Sequence, residues 1–174
     1  MVEELYRYPC SRRNPLYRRT RWTGIHQAHY TCYMAKTIFV SNRLSTTAKL
    51  SDGGELSFNR SVGGLATGLS TIHEQEDSLW IGWSGVTSDE VSEELNKEIH
   101  QTLLTDYKSV AVDVSSEELD LFYAGFCNRT IWPLFHYFTT FTDYNEKTWQ
   151  SYEAVNERFF HKVSEHAEDG DLIW

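Results

Sequence analysis

The sequence contains no long apolar run and few residues that interrupt regular structure. No hydrophobic stretch approaches the roughly 20 residues that a membrane helix needs, and only 3 prolines occur in 174 residues. The first absence excludes a membrane span, and the second excludes a collagen-like or linker-rich chain. Its 3 cysteines, Cys10, Cys32 and Cys127, are too few and too widely spaced for a disulfide scaffold or a Cys-x-x-Cys site. We therefore expect unpaired thiols and a cytoplasmic protein.

What the chain does contain is enough for one ordinary globular domain. Its hydrophobic fraction is 40%, and aromatic residues make up 14%, which is ample for a packed core. The net charge of −9 is unevenly distributed, because residues 1–33 carry six arginines against two glutamates and so leave −13 for the rest. A body this acidic repels polyanions at long range, so we expect no nucleic-acid partner.

Residues 1–33 differ from the rest in pattern as well as in charge. They show neither helical nor strand periodicity, and Pro9 and Pro15 would interrupt a helix. We expect a basic, disordered leader that stays outside the core. It is either an extension upstream of a true start at Met34 or a basic tether or targeting segment. The folded unit is then predicted to be 34–174.

From residue 37 onward, short apolar runs alternate with amphipathic segments. The runs that predict strands are 37–40, 79–83, 110–112 and 172–174, with short strand-like pieces on either side of a turn at 51–54. Apolar residues at helical spacing predict helices after Gly63 and Gly64, after Thr87, after Ser115 and over 146–166. This alternation indicates an α/β fold, a Rossmann-like parallel sheet with flanking helices, which binds ligands beyond the carboxyl ends of its strands.

Three local signals predict where helices begin and end. The segments Thr87–Glu90 and Ser115–Glu118 each have the spacing of a capping box, which marks a helix start. Pro133 is expected to end the helix before it and to turn Trp132 toward a loop, because proline disfavours a helix that continues through it.

The carboxyl end of the first strand is the first candidate site. Arg43 follows that strand, and Gly63 and Gly64 stand where a helix begins. Backbone N–H groups and the positive helix end attract an anion, glycine permits close approach, and arginine binds phosphate oxygens bidentately. The glycines admit another interpretation, in which they only let the helix pack tightly. They do not form the GxGxxG fingerprint, which argues against a nicotinamide cofactor and a self-contained nucleotide loop.

The second candidate is the segment 121–138, which is dense in aromatic residues. Flat rings with polar edges suit a sugar, which is apolar on its faces and hydroxylated at its rim, although most such rings belong to a core. His136, His161 and His166 lack the spacing of a metal site, so neither a metal nor a cofactor is expected. The turn Asp169–Asp171 is interpreted as a solvated one.

Several segments taken in order resemble one known family. They are MAKTIFVSNRL, SVGGLATGL, SLWIGWSG, LFYAGFCNRTIWPLFHYF, YEAVN and the closing DGDLIW. None of these segments is specific alone, but the ordered set over 34–174 resembles the amino-terminal part of glycosyltransferase family 20, the trehalose-6-phosphate synthases. Members of the family begin shortly before the SNR motif, which matches Met34 and supports treating 1–33 as an addition.

The resemblance implies a retaining transfer of glucose from UDP-glucose to glucose 6-phosphate, without a catalytic metal, in the cleft between two Rossmann-like domains. The amino-terminal domain of the family mainly holds the acceptor. By this resemblance Arg43 grips the phosphate of glucose 6-phosphate, and Tyr123 and Trp132 line the same site. Gly63 and Gly64 would lie against the diphosphate of UDP-glucose.

The resemblance also has a limit. In the family, DLIW continues into an HDYHL segment and then into a carboxyl-terminal domain that holds the donor. Neither is present in this sequence, so we expect an incomplete amino-terminal domain of a two-domain, B-type glycosyltransferase that carries no catalytic residue and is inactive alone. The alternative is a non-catalytic sugar-phosphate-binding or regulatory module, which pairs with a separately encoded carboxyl-terminal half or associates with itself.

Overall fold

The computed structural model describes residues 36–51, 53–61, 64–75 and 77–174. The predictions for the leader 1–33, Met34, Gly63, Cys10 and Cys32 lie outside these residues. The strands are Thr37–Arg43 (β1), Thr46–Leu50 (β2), Leu56–Arg60 (β3), Ser78–Trp83 (β4), Ser109–Val112 (β5) and Leu172–Ile173 (β6). The α-helices are Gly64–Gln75 (α1), Glu93–Tyr107 (α2), Ser116–Glu118 (α3), Trp132–Phe135 (α4) and Glu146–His166 (α5). A π-helix covers Leu119–Ile131, and a 3-10 turn covers Thr139–Phe141.

Four strands form one parallel sheet in the order β5-β4-β1-β6, and β2 and β3 form a separate antiparallel hairpin. Thr37 of β1 stands opposite Ser78 on one side and Leu172 on the other, so three strands start at the same level. The parallel α/β sheet expected from the sequence is confirmed. The chain proceeds outward from β1 to β5 and then returns to add β6 on the other side of β1. In open α/β sheets, ligands bind beyond the carboxyl ends of the strands at such a reversal, which here lies between β1 and β6.

One face of the sheet packs against the π-helix and α5. Ile38 of β1 and Ile81 of β4 are fully buried in a cluster with Phe122 of the π-helix and with Val155 and Phe159 of α5. These two helices therefore cover the same face, and the apolar stripe predicted along 146–166 contributes Val155 and Phe159 to the packing there.

The opposite face packs mainly against α2. Phe39 and Trp80 lie beside Ile38 and Ile81 in the strands and are buried in a second cluster with Ile99 and Leu103 of α2. Successive residues of a strand point to opposite faces, so an uninterrupted apolar run fills both cores at once. The uninterrupted apolar runs of the sequence therefore predict strands that are buried on both faces of the sheet. Within the described ranges, no helix is both long and apolar enough to cross a membrane.

The start of α3 confirms one predicted cap. The side chain of Ser115 accepts the backbone N–H of Glu118, and the carboxylate of Glu118 accepts the backbone N–H of Ser115, which completes the capping box. Arg158 of α5 pairs with the same carboxylate and donates to the carbonyl of Asp113 at 2.8 Å. The helix start is thereby tied to α5.

The capping box predicted at Thr87–Glu90 is wrong. α2 begins at Glu93 and is capped by Ser92, whose hydroxyl accepts the N–H of Leu95 at 3.2 Å. Thr87 is buried, and its hydroxyl lies 3.1 Å from that of Ser116. The Thr87 side chain therefore makes a tertiary hydrogen bond instead of the helix cap that the local pattern predicts.

His73, near the end of α1, is a buried titratable group. Its ring packs edge-on against Phe39 and Trp80. Nε2 donates to the carbonyl of Tyr107 at 3.0 Å, and Nδ1 lies 2.9 Å from the hydroxyl of Ser78. Burial lowers the pKa of His73, because the charged imidazolium loses its solvation there. The neutral ring thus links α1 to the start of β4 and the end of α2.

Acidification is therefore expected to weaken the fold through His73. The unfolded chain binds a proton at this residue below a pKa of about 6.5, whereas the folded chain resists it, so the stabilisation present above that pH is lost as the pH falls. Urea unfolding at pH 7.5, 6.5 and 5.5 should show a decline in unfolding free energy that is smaller in His73→Gln. His161→Gln, at an exposed histidine, is the control and should follow the parent chain; an equal decline in His73→Gln would contradict the assignment.

Candidate functional site

Arg43 is the last residue of β1 and lies at the carboxyl edge of the sheet. A bulge between Val40 and Arg43 brings Arg43 opposite Trp83 of β4. The guanidinium carbon of Arg43 lies 4.8 Å from the centroid of the Trp83 ring, which is a cation–π contact. Arg43 is exposed, whereas Trp83 is buried. A fixed core ring thus holds one face of an exposed guanidinium.

The N–H groups of Arg43 have no hydrogen-bond acceptor among the described residues. Within the part of the chain that the structure describes, the Trp83 ring is the contact that the guanidinium makes, and no carboxylate or carbonyl accepts from it. Guanidinium presents five N–H donors in a planar fork that matches phosphate oxygens. The guanidinium is therefore held on one face by Trp83 and exposed to solvent.

Trp83 supports the candidate site residue Arg43 and is not among the site residues predicted from the sequence. The strand 79–83 was predicted, and an aromatic residue at its carboxyl end is the signal that was available. The contact with Arg43 depends on β4 lying next to β1, and the order of strands in a sheet is a property of the whole fold.

The helix predicted after Ser115 has π geometry rather than α geometry. At its end, the N–H of Trp132 bonds to the carbonyl of Cys127, five residues earlier. Phe122 is buried against α5, whereas its neighbour Tyr123 is 42% exposed. Tyr123 thus stands at the surface of the layer whose inner side is fixed in the core.

The prediction that Pro133 ends this helix is wrong. The π-helix passes directly into α4, in which Pro133 occupies one of the first two positions and is buried. Proline is tolerated there because the first N–H groups of an α-helix need no partner within the helix. Trp132 therefore lies in a helix rather than a loop, and its ring remains 51% exposed.

His136 fixes the Trp132 ring. The two rings are stacked, with centroids 4.1 Å apart and planes inclined by 18°. Nδ1 of His136 donates to the carbonyl of Trp132 at 2.7 Å. One tryptophan side chain is thus held in place at the surface, where a flat apolar ligand face could stack on it.

The structure links Arg43 and Tyr123, two of the three predicted acceptor residues, through Trp83 and Phe122, whereas Trp132 lies outside this cluster. Trp83 and Phe122 belong to one core cluster, with Arg43 resting on the first and Tyr123 following the second in the chain. Among the described residues, Arg43 itself makes no ring or hydrogen-bond contact with Tyr123 or Trp132.

Gly64 is the first residue of α1 and is exposed. A Cβ atom built on Gly64 would meet no described atom within 4 Å, and the same holds for Gly68 one turn later. Tight packing within the described residues therefore gives no reason for glycine at these positions. No acidic residue stands in the first turn of α1, so the positive helix end is not neutralised by a carboxylate of that turn.

Asp171 is not the solvated turn residue that the sequence suggested. Its side chain is 6% exposed, and its carboxylate accepts the N–H of Lys36 at 3.0 Å and the N–H of Glu168 at 2.9 Å. The ammonium group of Lys36 lies 3.5 Å away. Asp171 thus joins the turn before β6 to the residue before β1, at the end of the sheet opposite Arg43.

A cavity of about 550 Å³ lies away from Arg43, between α2, β5 and α5. On its wall the carboxylate of Asp113 accepts from His100 and from Asn96, each at 3.0 Å. The hydrogen bond from His100 holds the pKa of Asp113 below its usual range. These polar groups satisfy one another and connect α2 to β5. In the part of the chain described, no group of three or more His, Cys, Asp or Glu is arranged to hold a metal.

The architecture and the edge residues together define a class of protein. A Rossmann-like parallel sheet binds ligands beyond the carboxyl ends of its strands, and here that edge carries an exposed arginine with no acidic partner among the described residues. The sequence pattern of glycosyltransferase family 20 matches residues 35–174. The chain belongs to this family.

Named relatives agree with that assignment. The α,α-trehalose-phosphate synthase [UDP-forming] 1 of Aspergillus niger is 39% identical over 140 residues, which are 80% of this chain and 26% of the relative. A solved UDP-forming α,α-trehalose-phosphate synthase from Burkholderia xenovorans is 28% identical with a TM-score of 0.57, over 81% of this chain and 26% of the other. A complex of the Burkholderia xenovorans enzyme with glucose-6-phosphate is 27% identical with a TM-score of 0.54, over 80% and 28%. The chain thus spans about a quarter of the length of these relatives.

Gly125 is expected to set the distance between the π-helix and α5. A Cβ atom at Gly125 would lie 2.9 Å from Cγ2 of Thr148 and 3.1 Å from the carbonyl oxygen of Asp120. Gly125→Ala should therefore lower the unfolding free energy by about 1–3 kcal/mol through overpacking. The double variant Gly125→Ala with Thr148→Ser removes the nearest methyl group and should recover part of the loss in urea unfolding. Absence of recovery would place the strain elsewhere.

Proposed function

We propose that this chain forms the acceptor-binding wall of a trehalose-6-phosphate synthase, an enzyme that transfers glucose from UDP-glucose to glucose 6-phosphate. The observation that carries the proposal is the exposed Arg43 guanidinium, which is held on the Trp83 ring and whose N–H donors have no partner within the described ranges. The names of the relatives support the reaction, and the Burkholderia xenovorans complex with glucose-6-phosphate supports the acceptor.

Arg43 would bind the phosphate of the acceptor. Its planar fork donates two parallel hydrogen bonds to phosphate oxygens, and such charge-assisted bonds are about twice as strong as neutral ones. The Trp83 ring restricts the orientation of the fork before the ligand arrives, which reduces the entropy lost on binding. The acceptor is thereby oriented by its phosphate.

Tyr123 and Trp132 would contact the sugar ring of the acceptor. Both rings are partly exposed; the Trp132 ring is anchored by the stacked His136, and Tyr123 follows the buried Phe122 in the chain. An anchored ring offers a flat apolar surface at low entropic cost, and the phenol oxygen of Tyr123 can also bond a hydroxyl group.

Gly63 and Gly64 would approach the diphosphate of UDP-glucose. Gly64 opens α1 with unhindered backbone, and the first turn lacks a competing carboxylate. Helix N-termini of this kind bind phosphate through backbone N–H groups. On this proposal the chain contributes to both substrates but mainly to the acceptor.

The contribution of these residues to the transfer is positional. Bond exchange requires the acceptor and donor in near-attack geometry and stabilisation of charge on the leaving diphosphate. Arg43, Tyr123 and Trp132 supply the first for the acceptor alone. We therefore propose that the 174-residue chain does not catalyse transfer by itself.

A second candidate function is a non-catalytic sugar-phosphate-binding or regulatory module. The observation that favours it is the preorganisation of Arg43, whose guanidinium is held on the Trp83 ring by contacts within this chain. A module of this kind needs only the acceptor wall and no donor site.

We extend the proposal to the protein partner that would cover the exposed sheet edge and to the cellular compartment. β6 has one hydrogen-bonded neighbour among the described strands, β1, and its residues Leu172, Ile173 and Trp174 are exposed. An apolar sheet edge pairs readily with further polypeptide, so a separately encoded carboxyl-terminal half or a second copy of the chain would cover it. The free thiol of Cys127, whose pKa is raised by burial, is compatible with a cytoplasmic setting.

Glucose 6-phosphate is expected to bind the 174-residue chain saturably in a calorimetric titration. Arg43→Ala should weaken binding by at least about tenfold, since a hydrogen bond to a charged group contributes about 1.5–3 kcal/mol. Trp132→Ala should also weaken it, through loss of ring stacking. The matched control is Arg60→Ala, an exposed arginine of β3 that pairs with Glu74, and its affinity should be unchanged. No heat at millimolar ligand would reject the proposal.

A transfer assay separates the two functions. With UDP-glucose and glucose 6-phosphate, the chain alone should release UDP no faster than a blank without protein. Addition of a separately expressed carboxyl-terminal half of a family member should raise the rate if the chain is the acceptor wall of the enzyme. Binding of glucose 6-phosphate with no rate under either condition would favour the binding module, and steady UDP release by the chain alone would contradict its inactivity.

A further inference from the structure

We infer that Gly82, Ser41 and Trp80 are positioning residues, which turn Arg43 toward the face of the sheet that the π-helix covers. The role of Arg43 in ligand binding rests on the proposed function, but the geometry that places it does not.

The first step is a residue count at the end of β1. Val40 is paired with Ile81. Arg43 is paired with Trp83. Between these two pairs β1 has two residues, whereas β4 has the single residue Gly82. This is a β-bulge, which is uncommon between parallel strands and often redirects a side chain beside a functional site.

The second step follows from the alternation of side chains along a strand. Val40 packs in the core cluster that contains Trp83 and Phe122. In a regular strand, the residue three positions after Val40 would point to the opposite face. The extra residue in the bulge reverses that order, so Arg43 returns to the face of Val40 and meets the Trp83 ring. Without the bulge, Arg43 would point to the face of α1 and α2.

Gly82 permits the bulge because it has no side chain. A Cβ atom at Gly82 would lie 2.8 Å from the carbonyl oxygen of Ser41, 2.9 Å from the nitrogen of Leu44 and 3.0 Å from the carbonyl carbon of Arg43. All three are backbone atoms, which cannot move aside as the end of a flexible side chain could. Any other residue at position 82 would have to displace the end of β1.

A short chain of hydrogen bonds holds the bulge in place. The indole Nε1 of Trp80 donates to the hydroxyl of Ser41 at 2.8 Å, and this hydroxyl donates to the carbonyl of Arg43 at 2.7 Å. Trp80 is 1% exposed and forms part of the second core. The backbone N–H of Leu44 then donates to the carbonyl of Trp83 at 3.1 Å. The conformation of Arg43 is thus anchored in both cores.

The decisive variant is Gly82→Ala, measured by NMR of the 174-residue chain without ligand. The Arg43 side-chain protons lie over an indole and should show an upfield ring-current shift, with Trp83→Leu as the reference that lacks the ring. In Gly82→Ala we expect this shift to disappear and the affinity for glucose 6-phosphate to fall at least about tenfold, as for loss of a charge-assisted bond. Gly68→Ala, at a glycine with open space around it, is the matched control and should retain both.

Ser41 variants decide the case if Gly82→Ala does not fold. Ser41→Ala removes the hydroxyl that links Trp80 to Arg43 and should reduce the ring-current shift, whereas Ser41→Thr keeps a hydroxyl and should restore it. A folded Ser41→Ala or Gly82→Ala chain with unchanged Arg43 signals would overturn the inference. A parent chain that shows the shift and its loss in the variants, but binds no glucose 6-phosphate, would uphold the positioning and reject the proposed function.

Discussion

The pairing of β1 with β4 determines both the core of this chain and the residue at its ligand edge. Trp83 makes the connection, since one part of its ring is packed in the cluster with Ile38 and Phe122, and another part supports the guanidinium of Arg43. A ring packed in a core is held in one rotamer, whereas a side chain on a surface loop is less restricted. The core therefore fixes the orientation of the Arg43 guanidinium. A change in the packing of that core would change this orientation as well.

Charge is arranged differently at the two ends of β1. At its start, Asp171 is buried and satisfied by Lys36 and two backbone N–H groups. At its end, Arg43 is exposed and has no acidic partner among the described residues. An acidic chain can bind an anion under these conditions, because charges separated by more than the Debye length of about 8 Å are largely screened at physiological salt. Local pairing, rather than net charge, decides which end attracts a phosphate.

The sequence predicted those features that depend on neighbouring residues along the chain. The strands followed from uninterrupted apolar runs, the cap at Ser115 from its spacing to Glu118, and α5 from a stripe that ends at His166. The predictions that are wrong fail because of contacts between residues far apart in the chain. Thr87 was assigned to a cap but bonds to Ser116 from another part of the chain. Asp171 was assigned to solvent but is buried by the contact of the turn with Lys36.

The same division explains the outcome at the candidate site. Arg43 could be selected from the sequence because it follows an apolar strand, and the family resemblance added Tyr123 and Trp132. Trp83 could not be linked to Arg43, since a bulge and a strand order bring them together. Pro133 was misjudged because its effect depends on helix position, and its place near the start of α4 is set by the π-helix before it.

Between Ser116 and Phe135, the geometry of the π-helix depends on the exact number of residues in the segment. Each of its hydrogen bonds closes a ring one residue larger than that of an α-helix, so removal of a single residue would convert the hydrogen bonds that span it toward α geometry without breaking the helix. Such a deletion would rotate every later side chain about the helix axis and carry Trp132 and His136 away together. Surface loops tolerate insertions and deletions. In this segment, by contrast, we expect related sequences to show none.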